Sequence, residues 1–298
     1  MNPAGKTMEI CFWGTRGSYP VPGRSTLVYG GNTACHSVRI GDKSIIFDAG
    51  TGIINLGTAL VREKKPVNAM LIISHTHFDH ISGLLYFKPC FVKSTQLHIY
   101  GPTEVVGDIS KVIHNLSKPQ SHPIEFDQMG MHFSCNSLTG GDLFSWSASA
   151  KAPKKVSASR AGKKDAIMIS AMYNRRHPVH GVMNYRVDYM GKSFVYASDI
   201  EGDPLQGDSD LARFAAGADV LAHDAQYTEA DYAAGRQGWG HSTPAMAVKT
   251  AKMAGVKRLA LIHFEPSYDD KKLRQMERET KKLFPSSFFA VEGKSIRL

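Results

Sequence analysis

The stretch Leu71 to Gly83, LIISHTHFDHISG, constrains the chain more than any other. An apolar run opens it and reads as a buried strand, and His75, His77, Asp79 and His80 follow at once, where that strand ends. Strand ends are where α/β proteins collect their chemistry. Three imidazoles and a carboxylate this close are costly to bury unless a positive charge satisfies them. A mixed N/O donor set of this kind suits borderline-soft divalent ions such as zinc. The alternative is a turn that happens to be rich in histidine.

The same logic recurs along the chain. KSIIF delivers Asp48 to its end, SFVYAS delivers Asp199, ADVLAH leads into Asp224, and LALI leads into His263. Asp48 admits two readings: a carboxylate that orients a metal-binding histidine through its free ring nitrogen, or a cap for the helix beginning near Ile53. Around these points the expected elements are a strand over 8–14, a hairpin over 36–48 turning at Gly41-Asp42, and a strand over 97–102. A helix is expected over 103–116 and a second hairpin turns at Gly191. Further helices are expected from a Ser242 or Thr243 cap to Ala254 and over 269–283, with 286–298 as a closing hairpin or edge strand.

Composition narrows the class. With 298 residues, 42% of them apolar, the chain can bury one large core or two small ones, and no apolar run reaches the length of a bilayer span. Its first residues, MNPAGKTMEICF, do not resemble a secretory signal, and Cys11, Cys35, Cys90 and Cys135 are too scattered for a structural zinc site or a disulfide framework. A cytoplasmic protein with free thiols is the expectation. The net charge of +9 favours anionic partners such as nucleic acid, nucleotides or phosphorylated metabolites, or else reports a solvated basic face. Six basic residues and no acid fall between Lys151 and Lys164. The region 145–164 therefore reads as a basic surface loop, or as a flap over an anionic substrate.

Taken together, HTHFDH with Asp48 upstream and a histidine, Asp199 and His263 downstream resembles the HxHxDH pattern of the metallo-β-lactamase superfamily over roughly residues 8–298. The resemblance implies an α/β (α+β) fold, a four-layer αββα sandwich of one domain, with two divalent metal ions at one edge. Zinc is the first expectation, manganese or iron the alternatives. By resemblance His75, His77 and a histidine from RRHPVHG hold one ion, Asp79, His80 and His263 hold the other, and Asp199 bridges them. The third histidine is expected to be His177, eight residues before Tyr185, rather than His180. Asp48 then falls into place as a residue orienting a ligand.

HDAQYT (223–228) and GHSTPAMAV (240–248) resemble the ribonuclease Z and phosphodiesterase branch. There His241 would act as general acid on the leaving oxygen or stabilise the phosphoryl charge, Asp224 would hold it and favour its protonated form, and Asp79 would also orient the nucleophile. His223 is expected to be structural. Ribonuclease Z enzymes that process tRNA carry a long arm before the bridging aspartate. Here only 22 residues separate His177 from Asp199, enough for one hairpin. The expected function is thus hydrolysis of a small phosphodiester such as a cyclic nucleotide, with nucleic acid disfavoured as a partner. RNA processing of ribonuclease Z type and a non-hydrolytic iron-binding sensor are the alternatives, and a homo-oligomer, first of all a dimer, is the expected assembly.

Overall fold

In the computed structural model, which describes residues 7–157 and 165–298, two β-sheets face each other and helices cover their outer sides. In the first sheet β1 (Met8–Gly14), β2 (Cys35–Ile40), β3 (Lys43–Phe47), β4 (Asn68–Ile72), β5 (Gln96–Pro102) and β6 (His132–Leu138) lie side by side in chain order, and β15 (Ser295–Arg297) pairs with the outer side of β1. The second sheet runs, edge to edge, β14 (Ser287–Phe289), β13 (Arg258–Ile262), β12 (Val220–Asp224), β11 (Lys192–Ala197), β10 (Val182–Tyr189), β9 (Ile167–Asn174), β7 (Leu143–Trp146) and β8 (Lys154–Val156). Each sheet is antiparallel on one side and parallel on the other: β3 to β6 are parallel, as are β11 to β14.

This division positions the site. Parallel strands in register finish level with one another, so residues placed just after them gather at one edge. Phe47 of β3 is level with Ile72 of β4, and in the second sheet Ala197 is level with His223 and Asp224 with Ile262. The inner parallel strands β3 and β4 are buried on both faces, which is why they read as continuous apolar runs such as KSIIF and NAMLI, whereas β6, at the edge, is polar and half-exposed.

The core lies between the sheets, where Phe12, Phe47, Trp146, Tyr185, Phe194 and Tyr196 interdigitate. Two further apolar layers cover the outer faces. Helix α1 (Gly52–Arg62) presents Ile53, Leu56 and Leu60 to the first sheet. After the short α2 (Phe78–Ile81), α3 (Thr103–Val106) and α4 (Ile109–Leu116) complete that side. On the second sheet lie α5 (Ser209–Phe214), the turn α6 (Glu229–Asp231), α7 (Pro244–Ala254) and α8 (Asp270–Leu283). Thr243 caps α7 through Met246 N–H and Gly255 closes it in the left-handed conformation. In α8 the buried positions Leu273, Met276 and Thr280 recur at helical spacing, and Asp269 caps its start. The result is the αββα sandwich expected from the sequence.

Three local expectations need correction. For residues 286–298 the edge-strand reading holds and the hairpin does not: β14 is an edge of the second sheet and β15 an edge of the first, so the C-terminal segment ties the two sheets together. The helix expected over 103–116 is two helices, because Gly107 adopts a positive φ and Asp108 caps a new start through Ser110 N–H. Within the expected basic loop, Leu143–Trp146 and Lys154–Val156 are paired strands, and Lys155 meets the buried Asp142 at 2.6 Å. Arg160, Lys163 and Lys164 lie outside the described residues.

Candidate metal centre

The ends of β3 and β4 on one sheet and of β11, β12 and β13 on the other converge on a single cluster, buried except for His77, which is exposed. Asp48, Asp199 and His263, which follow β3, β11 and β13, all have left-handed backbones, with φ of 60°, 55° and 63°. None is glycine, so each such residue costs roughly 1–2 kcal/mol. Hydrogen bonds hold these turns: Asp48 N–H donates to the Ile72 carbonyl at 3.0 Å, and Phe264 N–H, next to His263, donates to the Thr15 carbonyl at 2.8 Å. The turn directs each side chain off the end of its strand and into the gap between the sheets.

Asp199 is at the centre. Its Oδ1 lies 3.1 Å from His80 Nε2 and 3.2 Å from His263 Nε2, and Asp79 Oδ2 is 3.4 Å and 3.2 Å from the same two nitrogens. Its Oδ2 faces the other way, 3.6 Å from His75 Nε2 and 4.0 Å from His177 Nε2, while His177 Nε2 is 3.3 Å from His77 Nδ1. One carboxylate therefore divides its two oxygens between two groups of histidines. His177 is buried within the second group, whereas His180 is exposed and its carbonyl accepts from the Tyr173 hydroxyl.

The ring nitrogens facing away from the cluster are tied down. Asp48 is fully buried and accepts four hydrogen bonds: from His80 Nδ1 at 2.8 Å, and from Ser74 N–H, the Ser74 hydroxyl and the Tyr196 hydroxyl at 2.7 Å each. It caps no helix, since Thr51 precedes α1. Gln226 Oε1 accepts from His263 Nδ1 at 3.1 Å, and the Gly240 carbonyl accepts from His177 Nδ1 at 3.1 Å. Both bonds turn Nε2 toward Asp199.

The donors are suited to cations. His75 Nε2 is buried and has no hydrogen-bond partner among the described residues. Burial and the neighbouring His80 hold the His75 pKa well below the usual imidazole range, which keeps the lone pair free. Burial disfavours a charged Asp199, but His263, His80 and His75 outweigh it and hold its pKa well below that of an ordinary carboxyl. His263 shows the converse, raised to about 9 because Asp199 and Asp79 overcome its burial. Buried carboxylates that stay charged and imidazoles that face them fit a divalent ion among His75, His77, His177 and Asp199, and another among Asp79, His80 and His263, with Asp199 Oδ1 close by; Asp199, Asp224, His241 and His263 form a third compact group that overlaps these.

Beside this cluster sits a pair with a different geometry. Asp224 Oδ2 accepts from His241 Nδ1 at 2.8 Å, and its Oδ1 accepts from Ser242 N–H at 2.8 Å. A carboxylate only accepts, so Nδ1 carries the proton and Nε2 is the free edge of the His241 ring. That ring stacks on His263 with centroids 5.0 Å apart. His223, adjacent in sequence, is buried and bonds the Asp224 carbonyl through Nδ1.

Several contributors escaped the reading of the sequence. Ser18 N–H donates to Asp79 Oδ2 at 2.8 Å, with Ser18 itself at φ 60°. A Cβ at Gly17 would run into the His263 ring and one at Gly240 into the His177 ring, so both backbones pack against donor imidazoles as only glycine allows. Ser74, Tyr196 and Gln226 orient imidazoles or the carboxylate behind them. Gly17 stands in a loop-like stretch whose contact with residue 263 has no local signature, whereas Gly240 precedes the HST segment and could have been flagged with it.

The fold and the donor set together define a metal-dependent hydrolase. The beta-lactamase superfamily domain matches residues 43–264, and the chain belongs to that superfamily. It is similar to ribonuclease Z of Picrophilus torridus (28% identity, covering 96% of this chain and 94% of that one). It is also similar to ribonuclease Z of Lactococcus lactis subsp. cremoris (30% identity, 95% and 97%). Among solved structures, YhfI from Bacillus subtilis, a metallo-beta-lactamase fold protein, superposes with a TM-score of 0.69 (19% identity, 98% and 100% of the chains). A diphosphatase of the PhnP family superposes with a TM-score of 0.65 (16% identity, 98% and 97%). No helix among the described residues is long and apolar enough to cross a membrane.

Proposed function

We propose that the chain hydrolyses phosphodiesters and that its substrate is a small diester such as a cyclic nucleotide. The observation that carries this reading is the His241–Asp224 pair beside a carboxylate with two differently directed oxygens. Two divalent ions, zinc first, bound by the residues named above would supply positive charge to phosphoryl oxygens and a water of lowered pKa. Asp79 spends Oδ2 on Ser18 N–H and on the His263 edge, which leaves Oδ1 to accept a hydrogen from the attacking water. His241 delivers a proton from Nε2 to the departing oxygen, and Asp224, accepting from Nδ1, fixes the plane of the ring. Glu201, two residues beyond Asp199, accepts from Gly240 N–H at 2.8 Å and so anchors the backbone that carries His241.

The named activities of the ribonuclease Z relatives and the diphosphatase neighbour support chemistry at phosphorus. RNA processing is the second reading, favoured by similarity to ribonuclease Z along nearly the whole chain. Against it stands the single hairpin β10–β11 between His177 and Asp199, which turns tightly at Met190 and Gly191 with φ of 49° and 75°. A homodimer in the cytoplasm belongs to the same proposal.

The test is turnover of bis(p-nitrophenyl) phosphate by protein of known metal content, followed by cyclic AMP against a 3′-extended tRNA. Turnover with two zinc or manganese ions and preference for cyclic AMP are expected. Preference for the tRNA overturns the choice of substrate, and tightly held iron without turnover replaces hydrolysis with the sensor reading.

A further inference from the structure

The segment leading to His241 contains a built feature that the hydrolytic chemistry leaves unused. After α6 the chain makes one wide turn over Tyr232–Arg236, reverses at Gly235 (φ 119°), and returns through Gln237, Gly238, Trp239 and Gly240. The carboxylate of Glu201 fastens this loop at three points: Oε1 accepts from the Tyr232 hydroxyl at 2.7 Å and from Gly238 N–H at 2.8 Å, and Oε2 accepts from Gly240 N–H. Trp239 N–H closes the turn onto the Arg236 carbonyl at 3.3 Å. An anchored loop presents its side chains at little entropic cost.

What it presents is an aromatic and cationic pair. The Arg236 guanidinium lies over the Trp239 ring, 4.7 Å from its centroid, and over the Tyr227 ring at 5.5 Å. Tyr227 is buried and packs edge-on against His241 at 5.8 Å, so one ring separates Arg236 from the general acid. The Arg236 side chain makes no hydrogen bond or ion pair with a described residue, although five N–H groups project from its edge. Trp239 is 52% exposed with Arg236 against one face, which leaves ring surface open beside the site. An indole in solvent is a poor use of apolar area unless something flat covers it, and an arginine stacked between rings keeps its donors in one plane.

We propose that Trp239 and Arg236 form a nucleotide-binding platform: a nucleobase stacks on the open surface of Trp239 while the Arg236 N–H groups bond an acceptor oxygen of the same nucleotide. This rests on the reading of the site as a phosphodiesterase, and it narrows the substrate from any small diester to one that carries a nucleobase. Stacking on an aromatic side chain tolerates every base, because each has a π-face, so the platform recognises nucleotides as a class.

The experiment compares two diesters that release the same chromophore, thymidine 5′-(p-nitrophenyl phosphate) and methyl p-nitrophenyl phosphate. Its readout is the ratio of their kcat/KM values, which cancels any general loss of activity in a variant. The wild-type ratio is expected to favour the thymidine ester by about tenfold or more, the scale of one base stacked on one ring. Trp239→Ala should bring the ratio close to one, and Arg236→Gln should lower it less. A wild-type ratio near one, or one that Trp239→Ala leaves unchanged, overturns the platform while the phosphodiesterase reading stands. If neither ester is hydrolysed, that reading fails and the platform is judged by binding alone, through quenching of tryptophan fluorescence by adenosine 5′-monophosphate with Trp239→Phe as blank. Saturable quenching that Arg236→Gln weakens about tenfold supports the platform. No saturable quenching overturns it.

Discussion

The two sheets contribute to the same cluster by opposite means. The first delivers His75, His77, Asp79 and His80 from one strand end and the short helix after it, so its donors are neighbours in sequence. The second delivers Asp199, Asp224 and His263 from the ends of three parallel strands, and His177 and His241 from loops, so its donors are spread over nearly ninety residues. A local motif can be spaced by the geometry of one turn. A dispersed set depends on register, since a slip between β11, β12 and β13 would move one donor out of level with the others. The second set should therefore be more sensitive than the first to changes that shift a strand.

The largest effect is expected at Asp199, where both halves meet. Asp199→Ala removes the only carboxylate among the described residues whose two oxygens face both histidine groups, so metal content should fall at both positions and turnover by about 10³-fold or more. Metal analysis beside kinetics checks this. If Asp199→Ala keeps two ions per chain, the two groups are independent and the contrast between the sheets collapses. His241→Ala should keep both ions and lower turnover by roughly 10²-fold, the usual scale for losing an acid catalyst. Loss of an ion instead would place His241 among the ligands, which its membership of a compact group with Asp199, Asp224 and His263 makes a sharp test.

The same contrast explains what could be read before the structure. HTHFDH announced a metal because its donors sit together, and the apolar runs before Asp48, Asp199 and His263 marked strand ends because parallel strands buried on both faces must be apolar. The layered fold followed from these runs and from the resemblance they carry. Ser18 and Gln226 could not be read, because a loop residue that bonds a carboxylate 61 positions away leaves no periodicity behind it. In the final segment only the hairpin reading failed, for a related reason: SSFFAVEGKSIRL has the pattern of a hairpin as well as of an edge strand, and the separation of the two sheets makes its two strands edges of different sheets. Lys154–Val156 was obscured by composition, since a short edge strand paired on one side can be as polar as a loop.

The finest test compares the two residues that orient imidazoles from behind, one on each sheet. Asp48 accepts from His80 with a charged oxygen, fully buried and shared with Ser74 and Tyr196, whereas Gln226 accepts from His263 with a neutral amide oxygen. Hydrogen bonds to charged groups contribute about 1.5–3 kcal/mol and neutral ones about 0.5–1.5 kcal/mol. Asp48→Asn should therefore lower metal affinity by roughly 10- to 100-fold, the range for partners that orient metal ligands. Gln226→Ala should cost only about 3- to 10-fold on the same energetic scale. Competition with a chromophoric chelator measures both. Equal losses would mean that orientation depends on the position of the acceptor and not on its charge. A larger loss at Gln226 would mean that the dependence of the dispersed half on register outweighs the charge of the acceptor that orients each imidazole.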